Sequence, residues 1–337
     1  MILDTYKRPL RDLRISVTDR CNFRCSYCMP LDEYEWLERK EVLTFEEITQ
    51  LSRLFISLGV EKIRLTGGEP LARRDLHKLI AKLSALPTPP DICLTTNGSL
   101  LAERVAAFKD AGLKRINVSI DSLKPDRFRQ ITKRGDLDKV LEGLFAAKRV
   151  GLRPIKINAV IERGVNDDEI LDLVRFAREH DFALRFIEYM DVGNANNWKS
   201  EKLVSKKEII DIIHAHYPLQ EVGRDKGSAP SVDYQFLDGS GDIGVIASVT
   251  EPFCFSCTRA RITADGKFVT CLFANRGHDL KTLMRNGATD EELLAFISNI
   301  WHKRTDRYSE ERLAALNSPT GYNPKEHRKL EMISLGG

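Results

Sequence analysis

The chain has 337 residues, long enough for one large domain with a smaller appended region. Lysine and arginine number 52 against 49 aspartates and glutamates, so a net charge of +3 gives no general drive toward nucleic acid or a membrane surface, and any anion site must be local. No apolar run approaches the roughly 18 residues of a spanning helix, and residues 1–13 carry no signal-peptide core, so a cytoplasmic protein is expected.

From Leu13 to Met190, short β-branched runs alternate with amphipathic stretches, the pattern of parallel strands joined by crossover helices. Strands are predicted at residues 13–17, 62–66, 92–95, 115–120, 155–161 and 184–189. Between the first two, Thr44 and Glu47 fit a capping box ahead of the apolar positions Ile48, Leu51, Leu54 and Phe55. Six such units are too few for a closed eight-stranded barrel, which leaves an open partial barrel or a doubly wound sheet. In both, chemistry gathers at the C-terminal ends of the strands. The residues found there are suited to it. Three cysteines follow the first strand, Gly67-Gly68-Glu69-Pro70 the second and Thr96-Asn97-Gly98 the third, while the fourth ends in Ser119 and Asp121 and the sixth in Glu188 and Met190.

Beyond Gly193 the alternation stops, which divides the chain into regions 1–193 and 194–337. A helix is predicted at 206–216, then a Gly/Ser-containing stretch at 223–231 and a strand at 243–250. Strands at 260–263 and 267–271 flank Asp265-Gly266, read as a two-residue hairpin turn that sets Ala260 opposite Cys271. Thr289 and Glu292 form a second capping box, and the chain ends in Gly336-Gly337.

The cysteines stand at 21, 25, 28, 93, 254, 257 and 271, an odd number in two groups of three with Cys93 left over as a buried thiol. Such grouping suits metal ligation better than a disulfide framework. Cys21, Cys25 and Cys28 put three thiolates on one short loop, an arrangement fit for an iron-sulfur cluster. A 4Fe-4S cluster has four irons, so three thiolates leave one iron open. A zinc site would need a fourth Cys or His, and the first histidine is His77. Cys254, Cys257 and Cys271 repeat the arrangement. There, zinc completed by His278 is the alternative, and the parallel with the first group favours a second cluster. Arg259 and Arg261 alternate on one strand and project from one face, where their forks suit phosphate oxygens. Arg14, Arg64 and Lys156 lie on the first, second and fifth strands.

The spacing of Cys21, Cys25 and Cys28, with Tyr27 before the last, resembles the signature of the radical S-adenosylmethionine superfamily, and the run Thr66-Gly67-Gly68-Glu69-Pro70 resembles that superfamily's cofactor-binding segment. The resemblance implies that the open iron chelates S-adenosylmethionine and that Tyr27, Gly68, Ser119 and Met190 contact it. One electron then splits the sulfonium to give a 5′-deoxyadenosyl radical. Over nearly its whole length, through both cysteine groups, residues 62–70, 95–98, 115–121 and 185–193, the Arg259–Arg261 element and the terminal glycines, the chain is similar to the GTP 3′,8-cyclases of molybdenum cofactor biosynthesis.

This family resemblance implies an open, partial parallel β/α barrel of about six units with a C-terminal α+β cluster-binding region, and two 4Fe-4S clusters. It implies that GTP is held by Arg14, Arg64, Thr95, Lys156, Arg259, Ala260 and Arg261, with its guanine edge on the second cluster. Arg14, Arg259, Arg261, Gly336 and Gly337 are implied in catalysis. The radical takes hydrogen from C3′ of the ribose, and C3′ bonds to C8 of guanine. A reducing electron donor, a downstream cyclic pyranopterin monophosphate synthase and a homodimer are also implied. The residues alone reach only a clustered-arginine anion site, because the chain has neither a G-x-x-x-x-G-K-[ST] loop nor an N-K-x-D motif. A twin-cluster radical enzyme that modifies peptides is the rival reading, and the arginine element speaks against it. A non-enzymatic electron carrier or zinc-stabilised RNA binder calls for four-ligand sites or a basic aromatic-bearing surface, and the sequence offers neither.

Overall fold

The computed structural model describes residues 1–319 and 321–336. Six strands, β1 (Asp12–Ser16), β2 (Lys62–Thr66), β3 (Asp91–Thr96), β4 (Arg115–Ser119), β5 (Ile155–Ile161) and β6 (Ala183–Glu188), lie side by side in chain order and pair in parallel. Helices α1 (Phe45–Ser57), α2 (Leu76–Ser84), α3 (Val105–Asp110), α4 (Pro125–Thr132), α5 (Leu137–Arg149) and α6 (Ile170–Glu179) fill the crossovers. This order decides between the two architectures. A doubly wound sheet reverses direction at a switch point, whereas here every crossover steps the same way. Right-handed connections then put the helices on one face and leave the other as the interior of an open barrel.

Each strand alternates to match. On β1, Leu13 and Ile15 are buried in the core beneath the helices, and Arg14 faces the interior. The capping box of α1 is formed, with the Thr44 hydroxyl accepting from Glu47 N at 3.1 Å and the Glu47 carboxylate accepting from Thr44 N at 2.7 Å. It orients a helix that buries Ile48, Leu51, Leu54 and Phe55, each worth at most about 3 kcal/mol of transfer from water.

The remaining elements are α7 (Lys206–His214), β7 (Leu219–Gly223), β8 (Val232–Phe236), β9 (Asp242–Ile246), β10 (Arg259–Ile262), β11 (Lys267–Val269), β12 (His278–Asp279), α8 (Leu280–Arg285), α9 (Asp290–His302), α10 (Tyr308–Leu316) and α11 (Met332–Leu335). Two of these strands extend the parallel sheet. β10 pairs in parallel with β1, and β9 with β6, so a single 12-stranded sheet runs β12-β11-β10-β1-β2-β3-β4-β5-β6-β9-β8-β7. The second capping box, at Thr289 and Glu292, starts α9, which packs Leu293, Ile297 and Trp301 inward and lies against α1.

Two sequence expectations are corrected. The hairpin has a three-residue loop, not a two-residue turn: Thr263 N donates to Lys267 O at 3.0 Å, Gly266 N to Thr263 O at 2.9 Å, and Gly266 is left-handed at φ 81°. Arg261 therefore faces Val269 and Ile262 faces Phe268, and Cys271 lies beyond the paired stretch instead of opposite Ala260. The strand expected at 243–250 stops at Ile246. Past it, the backbone N–H groups of Val249 and Thr250 turn onto the buried Glu188 carboxylate at 2.8 and 3.0 Å, and Lys206 N joins them at 2.9 Å. A side chain at the end of β6 thus takes donors that a ladder would have used.

Glu188→Ala strips these donors of their acceptor inside the protein. It should lower stability by about 3 kcal/mol or more, seen as a fall in the urea midpoint, and Glu188→Gln should recover part of the loss.

Candidate active site

The register of the strands collects the basic residues. Arg14 on β1 lies beside Arg261 on β10 and Arg64 on β2, three guanidinium groups on adjacent strands. Arg64 Nη1 donates to the Thr95 hydroxyl at 3.1 Å. Ala260, between the arginines of β10, turns its methyl into the core, so only its backbone faces neighbouring strands. Lys156 lies toward the N-terminal ends of the strands, in a basic recess shared with Arg14, Arg64, Arg115, Arg185 and Arg259. Of the carboxylates lining this recess, Asp12 pairs with Lys62, Glu61 with Arg11 and Asp91 with Arg115, all cations of the same wall, and among the described residues Arg14, Arg64, Lys156 and Arg185 have no ion pair. Burial, then the charges of Arg261, Arg64 and Arg259, hold the Arg14 guanidinium well below its ordinary pKa. Burial and the Arg185 charge bring Lys156 down to about 8. Positive groups packed this way are strained until an anion joins them.

Above the arginines, at the C-terminal ends of the strands, Cys21, Cys25 and Cys28 line a chamber together with Tyr27, Gly68, Ser119 and Met190. Gly68 has to be glycine, because a Cβ there would overlap the carbonyl oxygens of Asp19 and Arg20. This close approach is sealed by Gly68 N donating to Thr18 O at 2.8 Å and Glu69 N to Arg20 O at 2.7 Å. The buried Glu69 carboxylate accepts from Leu71 N, the Thr96 hydroxyl and Asn97 N at 2.9, 2.6 and 2.7 Å, tying the ends of β2 and β3 together. Tyr27 Oη donates to Asp121 at 2.8 Å, and Asp121 also accepts from Val160 N at 2.8 Å. Burial raises Glu69 to about 7 and Asp121 to about 6.

Burial, helped by the Glu69 charge, pushes the Cys21 thiol up to about 11. Burial likewise raises Cys25 well above the thiol range and Cys28 to about 12. At neutral pH these groups stay protonated until a metal displaces the protons. Three soft donors lining one chamber suit an iron-sulfur cluster, and no histidine lines the chamber among the described residues.

The second group occupies its own recess with Arg259, Arg261, Arg304 and Asp306. Arg8 Nη1 donates to Cys254 O at 2.7 Å and Arg304 Nη1 to Cys257 O at 2.9 Å, so two buried arginines seat the cysteine loop. Burial works to raise Cys257, but Arg259 and Arg304 outweigh it and bring the thiol down to about 6. Burial, with the charge of Asp306, lifts Cys271 to about 12. His278 lies opposite Phe268 with its ring edge-on to Phe296, outside the residues that line this recess. The zinc alternative loses its proposed fourth ligand, and the donor set again fits a cluster held by three thiolates. Cys93 is buried and lines the basic recess.

The C-terminal segment closes over the chamber. Asp191, next to Met190, is buried with Arg312 and with Lys329 Nζ at 2.9 Å, and it accepts from Tyr308 and Tyr322 at 2.9 and 2.5 Å. This latch sets α11 so that Gly336, at φ 69°, lines the chamber and its carbonyl faces Arg261 Nη1 at 3.4 Å. Gly337 lies outside the described residues. Sequence reasoning missed Asp191, Glu69 as a tie between strands, and Arg185. Arg185 was within reach, because it shares the inward alternation of Arg14 and Arg64 once the strand order is known. The Asp191 latch spans parts of the chain with no local pattern to link them.

The Radical SAM superfamily matches residues 15–177, and Molybdenum Cofactor Synthesis C matches residues 182–310. A GTP 3′,8-cyclase of Acidothermus cellulolyticus is 48% identical over all of this chain and 99% of its own length. One from Aquifex aeolicus is 47% identical over the full length of both, and one from Xanthomonas axonopodis pv. citri 44% identical over 99% of this chain and 98% of its own. Among solved structures, Streptococcus suis SuiB bound to precursor peptide SuiA superposes with a TM-score of 0.61 at 15% identity, covering 91% of this chain and 67% of that one, a likeness of fold alone. Relatives of this identity and coverage, with a matching barrel and two sets of three cysteines in place, establish that the chain belongs to the GTP 3′,8-cyclase family of radical S-adenosylmethionine enzymes.

Proposed function

We propose that Arg14, Arg64, Thr95, Lys156, Arg259 and Arg261, with the backbone of Ala260, hold GTP in the barrel, while Tyr27, Gly68, Ser119 and Met190 hold S-adenosylmethionine beside Cys21, Cys25 and Cys28. As a GTP 3′,8-cyclase the chain converts GTP to (8S)-3′,8-cyclo-7,8-dihydroguanosine 5′-triphosphate, the first step of molybdenum cofactor biosynthesis. The observation that carries the reading is a row of arginines that have no carboxylate partner among the described residues and share one chamber with a three-cysteine loop.

When bound, the two 4Fe-4S clusters and S-adenosylmethionine supply the electron transfer and the radical that start the reaction. The chain's own residues do the positioning. Arg14, Arg64 and Arg261 form a fork-lined floor for phosphate oxygens, so the ribose is fixed by its charged end. Gly68 gives its backbone to the cofactor wall, packed so closely on Asp19 and Arg20 that a Cβ there would collide with their carbonyl oxygens. The Tyr27–Asp121 bond keeps the cysteine loop against β4 and β5. Met332 and Gly336 line one side of the chamber, with the buried Leu335 next to Gly336 in the chain, and a ligand filling the remaining space would exclude water from a reactive intermediate. Arg14, Arg259, Arg261, Gly336 and Gly337 are the residues we assign to catalysis.

The reading extends to partners and place. Regions 1–193 and 194–337 share the work: the first holds the cofactor and supplies Arg14, Arg64, Thr95 and Lys156 to the nucleotide, and the second adds the second cysteine group with Arg259 and Arg261. A separate low-potential donor supplies electrons, cyclic pyranopterin monophosphate synthase takes the product, and the chain works as a cytoplasmic homodimer. No helix among the described residues is long and apolar enough to cross a membrane.

Anaerobically prepared protein should hold about eight irons per chain, as two 4Fe-4S clusters require, and release 5′-deoxyadenosine when given GTP; zinc at either site, or release that ignores GTP, defeats the reading. Cys21→Ala should abolish cleavage of S-adenosylmethionine. Arg259→Ala should weaken GTP binding by about ten- to 150-fold, for the loss of one charge-assisted contact, while both clusters remain. Because Lys156 titrates near 8 and an anion favours its charged form, GTP binding takes up a proton there. Affinity measured by equilibrium dialysis should therefore fall as pH rises through about 8, and Lys156→Arg should flatten that profile.

A further inference from the structure

Among the described residues, Arg259 alone lines all three cavities: the chamber, the recess of the second cysteine group and the basic recess. Its contacts are correspondingly divided. Nη2 donates to Cys257 Sγ at 3.3 Å, Nε is buried with no partner, and the guanidinium lies over the Phe253 ring at 4.8 Å. The other cations near Cys257 are differently placed. Arg304 is held by Asp4 at 3.2 Å and Asp306 at 3.1 Å, so its charge stays fixed, and Arg261 directs Nη1 to Gly336 O. Arg259 has one donor on a cysteine sulfur and a spare donor, on a side chain that also lines the basic recess.

We propose that Arg259 couples anion occupancy of the basic recess to the reduction potential of the second cluster. The inference rests on the reading of that cluster and of the nucleotide site given above. An N–H donor on a ligating sulfur draws electron density from the cluster and raises its potential. Phosphate oxygens are stronger acceptors for a guanidinium than sulfur and match its fork. When they enter, Arg259 turns its donors to them, the Cys257 bond weakens, and the second cluster becomes harder to reduce. A donor's electron is then less readily held at the substrate end while substrate is present, and stays available to the cluster that cleaves S-adenosylmethionine.

The test is a redox titration, followed by electron paramagnetic resonance, of the anaerobically prepared full chain with and without inorganic tripolyphosphate. This probe lacks guanine and brings no base to the iron. Without anion, Arg259→Gln should move the second cluster to a more negative midpoint and leave the first unmoved. Saturating tripolyphosphate should move the wild-type second cluster in the same direction. Arg14→Gln should need more tripolyphosphate but reach the same shift, whereas Arg259→Gln at saturation should show none. An undiminished anion shift in Arg259→Gln means that the field of the anion acts directly and overturns the coupling alone. If Arg259→Gln loses its second cluster on preparation, Arg259→Lys, which lacks the fork, is read by the same criterion: a reduced shift supports the coupling and a full one overturns it. About four irons per wild-type chain, or no binding of tripolyphosphate, overturns the cluster or nucleotide reading and this inference with it.

Discussion

Arg261, Arg14 and Arg64 stand abreast on three adjacent strands with no acid between them, and the rest of the structure is arranged to tolerate that repulsion. A closed barrel of this class packs its interior with branched apolar side chains. Here the interior is basic and open, so cohesion comes from the opposite face of the sheet, where Leu13, Ile15, Ile63, Leu65, Ile116 and Val118 meet the helices. The like charges are also held from both sides of a covalent gap. β10 supplies Arg261 from far along the chain, and its parallel pairing with β1 keeps the row in line. Electrostatic strain in the free protein is the counterpart of affinity for a polyanion, since the groups are desolvated before the ligand arrives.

The two cysteine sites share a donor set and differ in their surroundings. Glu69 and Asp121 stand near the first, and their charges oppose further negative charge there. Around the second, Arg259 and Arg304 favour thiolate on Cys257. A cluster held in the acidic setting would be the stronger reductant of the two. A cluster held in the basic setting would be easier to reduce.

Much of this was legible in the residues. Alternation located all six barrel strands to within a residue or two, and Thr44–Glu47 and Thr289–Glu292 marked helix starts because capping is a local interaction between near neighbours. The choice between barrel and doubly wound sheet was not legible, since it depends on strand order. Nor were the pairings of β10 with β1 and β9 with β6, which join segments with no shared pattern. The hairpin at Asp265-Gly266 was recognised as a hairpin, but its register was one residue out, because the same dipeptide serves two-residue and three-residue loops. The chemistry followed the same division. Thiol spacing and arginine alternation indicate a cluster and an anion site, whereas guanine came only from likeness to a family.

The placement of β10 also bears on how the molecule is made. Asp12 finds its partner Arg259 only after most of the chain has emerged, on the order of tens of seconds at ordinary rates of synthesis. Until then β1 is an unprotected sheet edge, and the loop carrying Cys21, Cys25 and Cys28 hangs from its end without the wall that shields it. Pairing at such separation makes for slow closure. The wall beside the three-cysteine loop is therefore complete only once residues 259–262 have been made, and until then the nascent barrel carries an open edge at β1.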